Sequence, residues 1–202
     1  MSVAQRHFDQ DCPWPAIRAQ WLARMEKLAP VFLKAEALRQ QKGTLALSEA
    51  WGVMDIPSVG VSITCKADRI DMTPENTALI YDYKTGTVPT KNIQLSFDKQ
   101  LLVEAVMVDR GAFKDLGAKQ VDGAAFLGIN AEMKNVPAPL EDAPIADVYA
   151  GLETLFGKWA QPETGYSARM AMFSKEDASP YDHLSRYGEW TMADLPTPED
   201  LT

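Results

Sequence analysis

Two stretches decide the fold of this chain: Ala67-Asp68-Arg69-Ile70-Asp71, and Ile80-Tyr81-Asp82-Tyr83-Lys84-Thr85-Gly86. The second completes a short apolar run that begins at Ala78 and is typical of a buried strand. Between the two stretches, residues 73–76 (Thr-Pro-Glu-Asn) have the composition of a turn. The sequence therefore predicts a strand, a turn and a strand, which form a hairpin that brings Asp68 towards Asp82.

This hairpin carries the residue types that a magnesium-dependent phosphodiesterase needs. Two carboxylates bind a hard cation through oxygen. Lys84 follows Asp82 after one residue, so both side chains point to the same face of the strand. There the ammonium group can orient a water molecule and assist its deprotonation.

The strand before the turn alternates along residues 59–67, and a weaker alternation over 44–57 predicts one more strand. One predicted face holds Val59, Val61, Ile63, Cys65 and Ala67. The opposite predicted face holds Ser62, Thr64, Lys66 and Asp68.

A helix is predicted from Pro15 to about Gln41, with a kink or break at Pro30. Its apolar side chains recur at near-helical spacing and are expected to pack in the core: Ile17, Trp21, Met25, Leu28 and Phe32.

After Gly86, residues 87–95 read as a polar loop, and Ser96 as the N-cap of the next helix. The apolar face of that helix is predicted to comprise Phe97, Leu101, Ala105 and Val108. Gln100 and Glu104 lie one turn apart beside this face. A strand over 121–130, a loop over 131–143 and a helix over 144–160 follow. The order αβββαβ predicts an α/β fold with a mixed sheet flanked by helices.

The length of 202 residues fits one domain, with a core over about 15–160 and a C-terminal extension over 161–202. The chain has no apolar run long enough to span a membrane and no apolar signal-peptide core, so a cytoplasmic location is expected. The two cysteines, Cys12 and Cys65, form no CxxC pair, which argues against an iron–sulfur cluster.

The net charge of −8 is unevenly distributed: residues 1–42 carry +3, residues 43–130 carry −3 and residues 131–202 carry −8. Phosphate neutralisation dominates binding to nucleic acids. Weak intrinsic affinity for DNA is therefore expected, and a partner would have to help hold the substrate.

With residues 99–105 (Lys-Gln-Leu-Leu-Val-Glu-Ala), the two opening stretches resemble the RecB-like domain of the PD-(D/E)XK nuclease superfamily. The later stretch 181–186 (Tyr-Asp-His-Leu-Ser-Arg) is similar to the end of alphaproteobacterial AddB-type double-strand-break repair proteins. The resemblance implies a restriction-endonuclease-like fold and a Mg²⁺ ion, for which Mn²⁺ can substitute.

By this resemblance, Asp68 and Asp82 bind the metal, Lys84 is the catalytic lysine and Gln100 supports the active site or contacts DNA. The backbone carbonyl of Tyr83 is the expected third metal ligand.

Other candidates are less specific. Glu49 and His7 are candidates for the acidic or histidine ligand that related domains place earlier in the chain. Glu104 stands where many relatives have tyrosine, and is expected either to extend the metal shell or to hydrogen-bond Gln100. Arg69 is expected either to pair with Asp71 or to touch a phosphate. Lys91 and Lys99 are candidates for contacts with the DNA backbone.

Two hypotheses of different classes follow. The first is a Mg²⁺-dependent deoxyribonuclease, more consistent with an exonuclease than an endonuclease, that acts on DNA ends in repair and recombination beside a helicase–nuclease partner subunit. The second is a non-catalytic module that docks on a DNA end or a helicase, as a fragment of a larger AddB-like protein.

Overall fold

The computed structural model describes residues 2–130, 132–165, 169, 179–191 and 193–194. Within this part, the helices are α1 (Ser2–Asp11), α2 (Pro15–Arg39), α3 (Lys91–Ser96), α4 (Gln100–Asp109) and α5 (Ile145–Trp159). The strands are β1 (Thr44–Ile56), β2 (Val61–Met72), β3 (Ala78–Lys84), β4 (Val121–Gly128) and β5 (Asn135–Pro137).

The strands form one mixed sheet in the order β1-β2-β3-β4-β5. β3 and β4 are parallel, and the other neighbouring pairs are antiparallel. A parallel pair needs a crossover connection, and α3 and α4 lie in the segment between β3 and β4. The predicted α/β architecture with a mixed sheet flanked by helices is confirmed.

The main core lies between one face of the sheet and the helices α4 and α5. Ile70 and Ile80 from the strands are fully buried there with Val106 of α4 and Phe126 of β4. A smaller apolar cluster on the other face of the sheet contains Tyr81, Ala125 and Leu127. Side chains that alternate along β3 therefore point to two different environments: Ile80 and Asp82 to one, Tyr81 and Tyr83 to the other.

The alternation of β2 shifts phase just before the hairpin. The core-facing residues are Ile63, Cys65 and Ala67, but then Ile70 and Met72. Glu49, which lies between two paired residues of β1 at this level, has a left-handed φ of 51°. The predicted alternation therefore holds through Ala67 and is wrong at Asp68, since the core-facing positions continue at Ile70 and not at Arg69.

The long helix α2 differs from prediction in two ways. It continues through Pro30 without a break in its helical assignment. Its predicted core stripe is not buried, since Ile17, Trp21 and Met25 are each about 40% exposed. The helix contacts the sheet mainly through its last turns, where Phe32 packs near Tyr83 with ring centroids 6.3 Å apart.

Four local predictions between β3 and α5 are also wrong. Residues 91–96 form helix α3 instead of a loop, because the Thr90 side chain caps it by accepting a hydrogen bond from the Ile93 N–H. Ser96 ends that helix, and α4 begins only at Gln100. Phe97 is consequently exposed. The predicted loop over 131–143 also includes the short edge strand β5.

Candidate active site

The hairpin of β2 and β3 places the two predicted metal-binding aspartates opposite each other. Backbone pairing between the strands runs as far as Arg69 opposite Tyr81, so the next positions are Asp68 and Asp82. The strands separate there, and the Asp68 carboxylate accepts a hydrogen bond from the Tyr83 N–H at 2.9 Å. Asp68 thus satisfies a backbone donor where the ladder ends, and it stays beside Asp82.

Asp82 is 4% exposed and has a partner on each carboxylate oxygen. Lys84 Nζ lies 2.8 Å from Oδ1, and Gln100 Nε2 donates to Oδ2 at 2.5 Å. Oδ1 contacts Lys84 as an ion pair but has no hydrogen-bond partner among the described residues. Burial raises the pKa of Asp82 above its ordinary value, an effect that Lys84 opposes and the nearby charge of Asp68 reinforces.

Lys84 lies at the centre of the cluster. Its ammonium group contacts Asp82 and also donates to Gln100 Oε1 at 2.9 Å. It lies 4.9 Å from the centre of the Phe126 ring, within the range of a cation–π interaction. The lysine is therefore held by three groups, with its charged end beside Asp82.

Gln100 and Glu104, the first turn of α4, complete the site. Gln100 Nε2 donates a second hydrogen bond to Glu104 Oε1 at 3.1 Å. Glu104 is 3% exposed, and its Oε2 has no hydrogen-bond partner among the described residues. Burial raises the pKa of Glu104 to about 7, and the charges of Asp82 and Asp68 add to the increase.

The chemistry of this cluster fits a divalent cation. Asp68, Asp82 and Glu104 bring three carboxyl groups near one ammonium group, so the ionised cluster has an excess of negative charge that one cation would balance. Among the described residues no three His, Cys, Asp or Glu side chains are placed to hold a metal together. Two carboxylates nevertheless suffice for Mg²⁺, which keeps several water ligands and often binds substrate phosphate directly.

Arg69 does not face the site. It is buried on the opposite side of the sheet and makes a bidentate pair with Asp71, at 2.6 and 2.7 Å. It also donates to Glu36 Oε2 and to the Tyr83 hydroxyl. Of the two alternatives for Arg69, the structure therefore shows the pair with Asp71 and leaves no guanidinium surface for a phosphate.

Sequence reasoning missed the part of this network that comes from α2. Glu36 accepts hydrogen bonds from both Arg69 and Arg39, and the Arg69 hydrogen bond lowers the pKa of Glu36. The spacing of Glu36 and Arg39 on one helix was the available signal, since residues three apart share a face. It could not indicate that Arg69 joins them.

The remaining candidates lie on the surface with partners of their own. Glu49 is 65% exposed and forms an ion pair with Lys66. Lys91 pairs with Asp142 at 2.6 Å. Lys99 donates to the Leu95 carbonyl. His7 is exposed on α1, 3.9 Å from Asp11.

With this geometry established, comparison with known proteins places the chain in a class. The sequence model of the PD-(D/E)XK nuclease superfamily matches residues 2–183, and the chain belongs to that superfamily. The five-stranded mixed sheet flanked by helices is consistent with its restriction-endonuclease-like fold. Membership implies nuclease activity in general, and such nucleases typically use divalent metals.

The chain is also similar to uncharacterized proteins of three Rickettsia species. Identity is 31% over 96 residues for Rickettsia bellii, 36% over 93 residues for Rickettsia felis and 31% over 96 residues for Rickettsia conorii. Each match covers 46% of this chain but only 10–12% of the relative. The matched part is thus a small segment of those longer proteins.

One further observation concerns membranes. Among the residues that the structure describes, no helix is both long enough and apolar enough to cross a bilayer.

Proposed function

We propose that this chain is a Mg²⁺-dependent deoxyribonuclease of the RecB/AddB type, which degrades DNA from its ends during double-strand-break repair. The observation that carries the proposal is the approach of Lys84 Nζ to 2.8 Å from Asp82 Oδ1, with Asp68 opposite Asp82 on the next strand. Two aspartates and a lysine thus lie together at the end of one hairpin.

In the proposed site, Asp68, Asp82 and the backbone carbonyl of Tyr83 hold the metal. When bound, Mg²⁺ polarises the phosphate and lowers the pKa of water. Mn²⁺ would bind the same oxygen ligands. Glu49 would join this set only by leaving its ion pair with Lys66.

The chain's own residues supply orientation and charge. Lys84 orients the attacking water and offsets negative charge on the phosphate, because its ammonium group is fixed by Asp82 and Gln100. Gln100 keeps Asp82 in place through the hydrogen bond to Oδ2. A preorganised positive group of this kind acts where charge develops in the transition state.

Contacts with the DNA backbone are assigned to Lys91 and Lys99, which are exposed near the site in sequence. Lys91 would exchange Asp142 for a phosphate. Two lysines give only a small electrostatic contribution. We therefore also propose a helicase–nuclease partner subunit, in the cytoplasm, that holds the DNA.

A cleavage time course tests this function. End-labelled linear DNA and closed circular DNA are incubated with Mg²⁺, Mn²⁺ or EDTA, and wild type is compared with Asp82→Asn. Metal-dependent loss of linear DNA alone is expected, and cutting of circles would refute the exonuclease mode. Cutting that persists in EDTA or in Asp82→Asn would contradict the proposed site.

One observation favours the second candidate, a non-catalytic module that docks on a helicase. Trp14, Ile17, Trp21 and Met25 present an exposed apolar surface along the first half of α2. Exposed apolar surface of this kind is typical of protein contacts. A folded protein that binds metal but leaves every DNA substrate intact would favour this candidate over the nuclease.

A further inference from the structure

Glu104 occupies a position that packing alone would assign to an apolar residue. Its neighbours on α4, Leu101, Ala105 and Val108, are almost fully buried in the main core. Glu104 is itself 3% exposed, and its Oε2 has no partner among the described residues. A carboxylate is expensive to bury in such surroundings. A carboxyl group that is kept in such a place requires an explanation in function or strain.

The explanation lies in the hydrogen bonds of Gln100. A glutamine amide has two N–H donors and one carbonyl acceptor. Here one donor goes to Asp82 Oδ2 and the other to Glu104 Oε1, while the carbonyl accepts from Lys84 Nζ. All of the amide's N–H groups are used, and each of its three partners carries a formal charge when ionised.

Glu104 is the partner that lies outside the proposed metal ligands and the lysine. With Asp82 and Lys84 alone, the half-buried amide keeps one N–H without an acceptor. Rotation of the side chain would then be less restricted, and the hydrogen bonds to Asp82 and Lys84 would loosen. A second acceptor behind Gln100 removes that freedom.

We propose that Glu104 is a positioning residue, which locks the Gln100 amide and so holds Lys84 and Asp82 in their working geometry. The proposal rests on the proposed nuclease function, because the geometry of Lys84 and Asp82 is taken to serve DNA cleavage. Its effect on Gln100 and on metal affinity is independent of cleavage. Supporting residues behind metal ligands typically change affinity or activity by about 10–100-fold when removed.

The test uses three variants. Glu104→Gln keeps an acceptor for Gln100 at the same place, whereas Glu104→Leu removes the acceptor with little change in size. Val108→Ala, one turn further along α4, is the matched control, because Val108 is a fully buried apolar residue of the same core. This variant measures the effect of lost core packing alone on metal affinity and amide exchange.

Two measurements are made on the full chain. Titration with Mn²⁺ gives the metal dissociation constant, and NMR of the Gln100 side-chain amide gives its proton exchange rate. In Glu104→Leu we expect about a tenfold weaker Mn²⁺ affinity and at least tenfold faster amide exchange. Glu104→Gln should stay within about threefold of wild type in both, and Val108→Ala should change neither.

Cleavage assays add a third measurement. Glu104→Leu should lower kcat with little change in the KM for DNA, since Glu104 is buried away from the substrate. If Glu104→Leu matches Val108→Ala in Mn²⁺ affinity and amide exchange, Glu104 only packs and the proposal is wrong. If wild type never cleaves DNA, the proposed function fails, while the affinity and exchange data still decide the role of Glu104.

Discussion

Lys84 and Asp82, separated by one residue on β3, form an ion pair of 2.8 Å in a site where Asp82 is almost fully buried. Alternation along a strand places their side chains on the same face, and α4 covers that face with Gln100. The pair therefore has a fixed geometry, in contrast to a pair of mobile surface charges.

Replacement of this lysine should abolish cleavage. For Lys84→Ala we expect a loss of about 10²–10⁴-fold in kcat, the range for a group that assists proton transfer. Single-turnover cleavage of end-labelled DNA with saturating Mg²⁺ measures it. Lys119→Ala is the control, because Lys119 hydrogen-bonds Asn76 in the turn at the other end of the hairpin, and it should retain most activity. Equal losses in both variants would show that Lys84 contributes only general positive charge.

Metal binding should stabilise the folded chain. At a metal concentration one hundred times the dissociation constant, the gain is about 2.7 kcal/mol, which raises Tm by roughly 5–10 °C for a domain of this size. Thermal unfolding with Mg²⁺, Mn²⁺ or EDTA measures the shift. Asp68→Asn should remove most of it. Glu49→Gln should preserve it, since Glu49 is exposed and paired with Lys66. A lost shift in Glu49→Gln would make Glu49 a ligand.

The stability of the metal-free protein should fall as pH rises through the range in which Glu104 ionises. Its pKa is about 7 when folded, against an ordinary 4.5, so the folded state binds the proton more tightly. The stabilisation that comes from this tighter proton binding is fully present below about pH 4.5 and is lost as pH rises through about 7. Between pH 5 and pH 8 the loss in the free energy of unfolding is roughly 2–3 kcal/mol, since each unit of pKa difference corresponds to about 1.36 kcal/mol.

Urea unfolding in EDTA at several pH values tests this dependence. Glu104→Gln cannot ionise, so its stability should decline less than that of wild type across the same range. The difference between the two curves isolates Glu104 from Asp82, whose pKa is also raised. Parallel curves for the two proteins would show that the Glu104 carboxyl is not perturbed as the geometry requires.

The central part of the site could be predicted from sequence because local rules determine it. A two-residue spacing on a strand fixes Asp82 beside Lys84, and a turn fixes Asp68 opposite Asp82. A one-turn spacing on α4 fixes the contact of Gln100 with Glu104, observed at 3.1 Å. Each of these relations follows from the geometry of a single element or hairpin.

The wrong predictions concern features that depend on tertiary structure and not on a single element. Helical spacing predicted a buried stripe on α2, but α2 contacts the sheet mainly near its last turns, and Trp21 remains in solvent. Periodicity identifies an amphipathic helix and does not supply a partner for its apolar face. The side of the sheet taken by Arg69 was likewise unpredictable, because it depends on the change of phase in β2 between Ala67 and Ile70.

The last prediction concerns the free energy of unfolding and the buried pair of Arg69 and Asp71. Because Arg69 faces away from the site, Asp71 is fully buried beside it and makes a bidentate pair. Asp71→Ala leaves the Arg69 guanidinium without its main partner, and Glu36 compensates only in part. We expect a loss of about 3–5 kcal/mol in the free energy of unfolding, the usual cost of breaking a buried pair.

Replacing both members, as Arg69→Met with Asp71→Leu, should cost far less, since no buried charge is then left alone. Urea unfolding of the two variants at pH 7 measures the contrast. If the double variant is as unstable as Asp71→Ala, packing geometry and not charge pairing holds this part of the sheet. In either case Lys84 and Asp82 lie on the other face, so metal binding by whatever fraction remains folded should be unchanged.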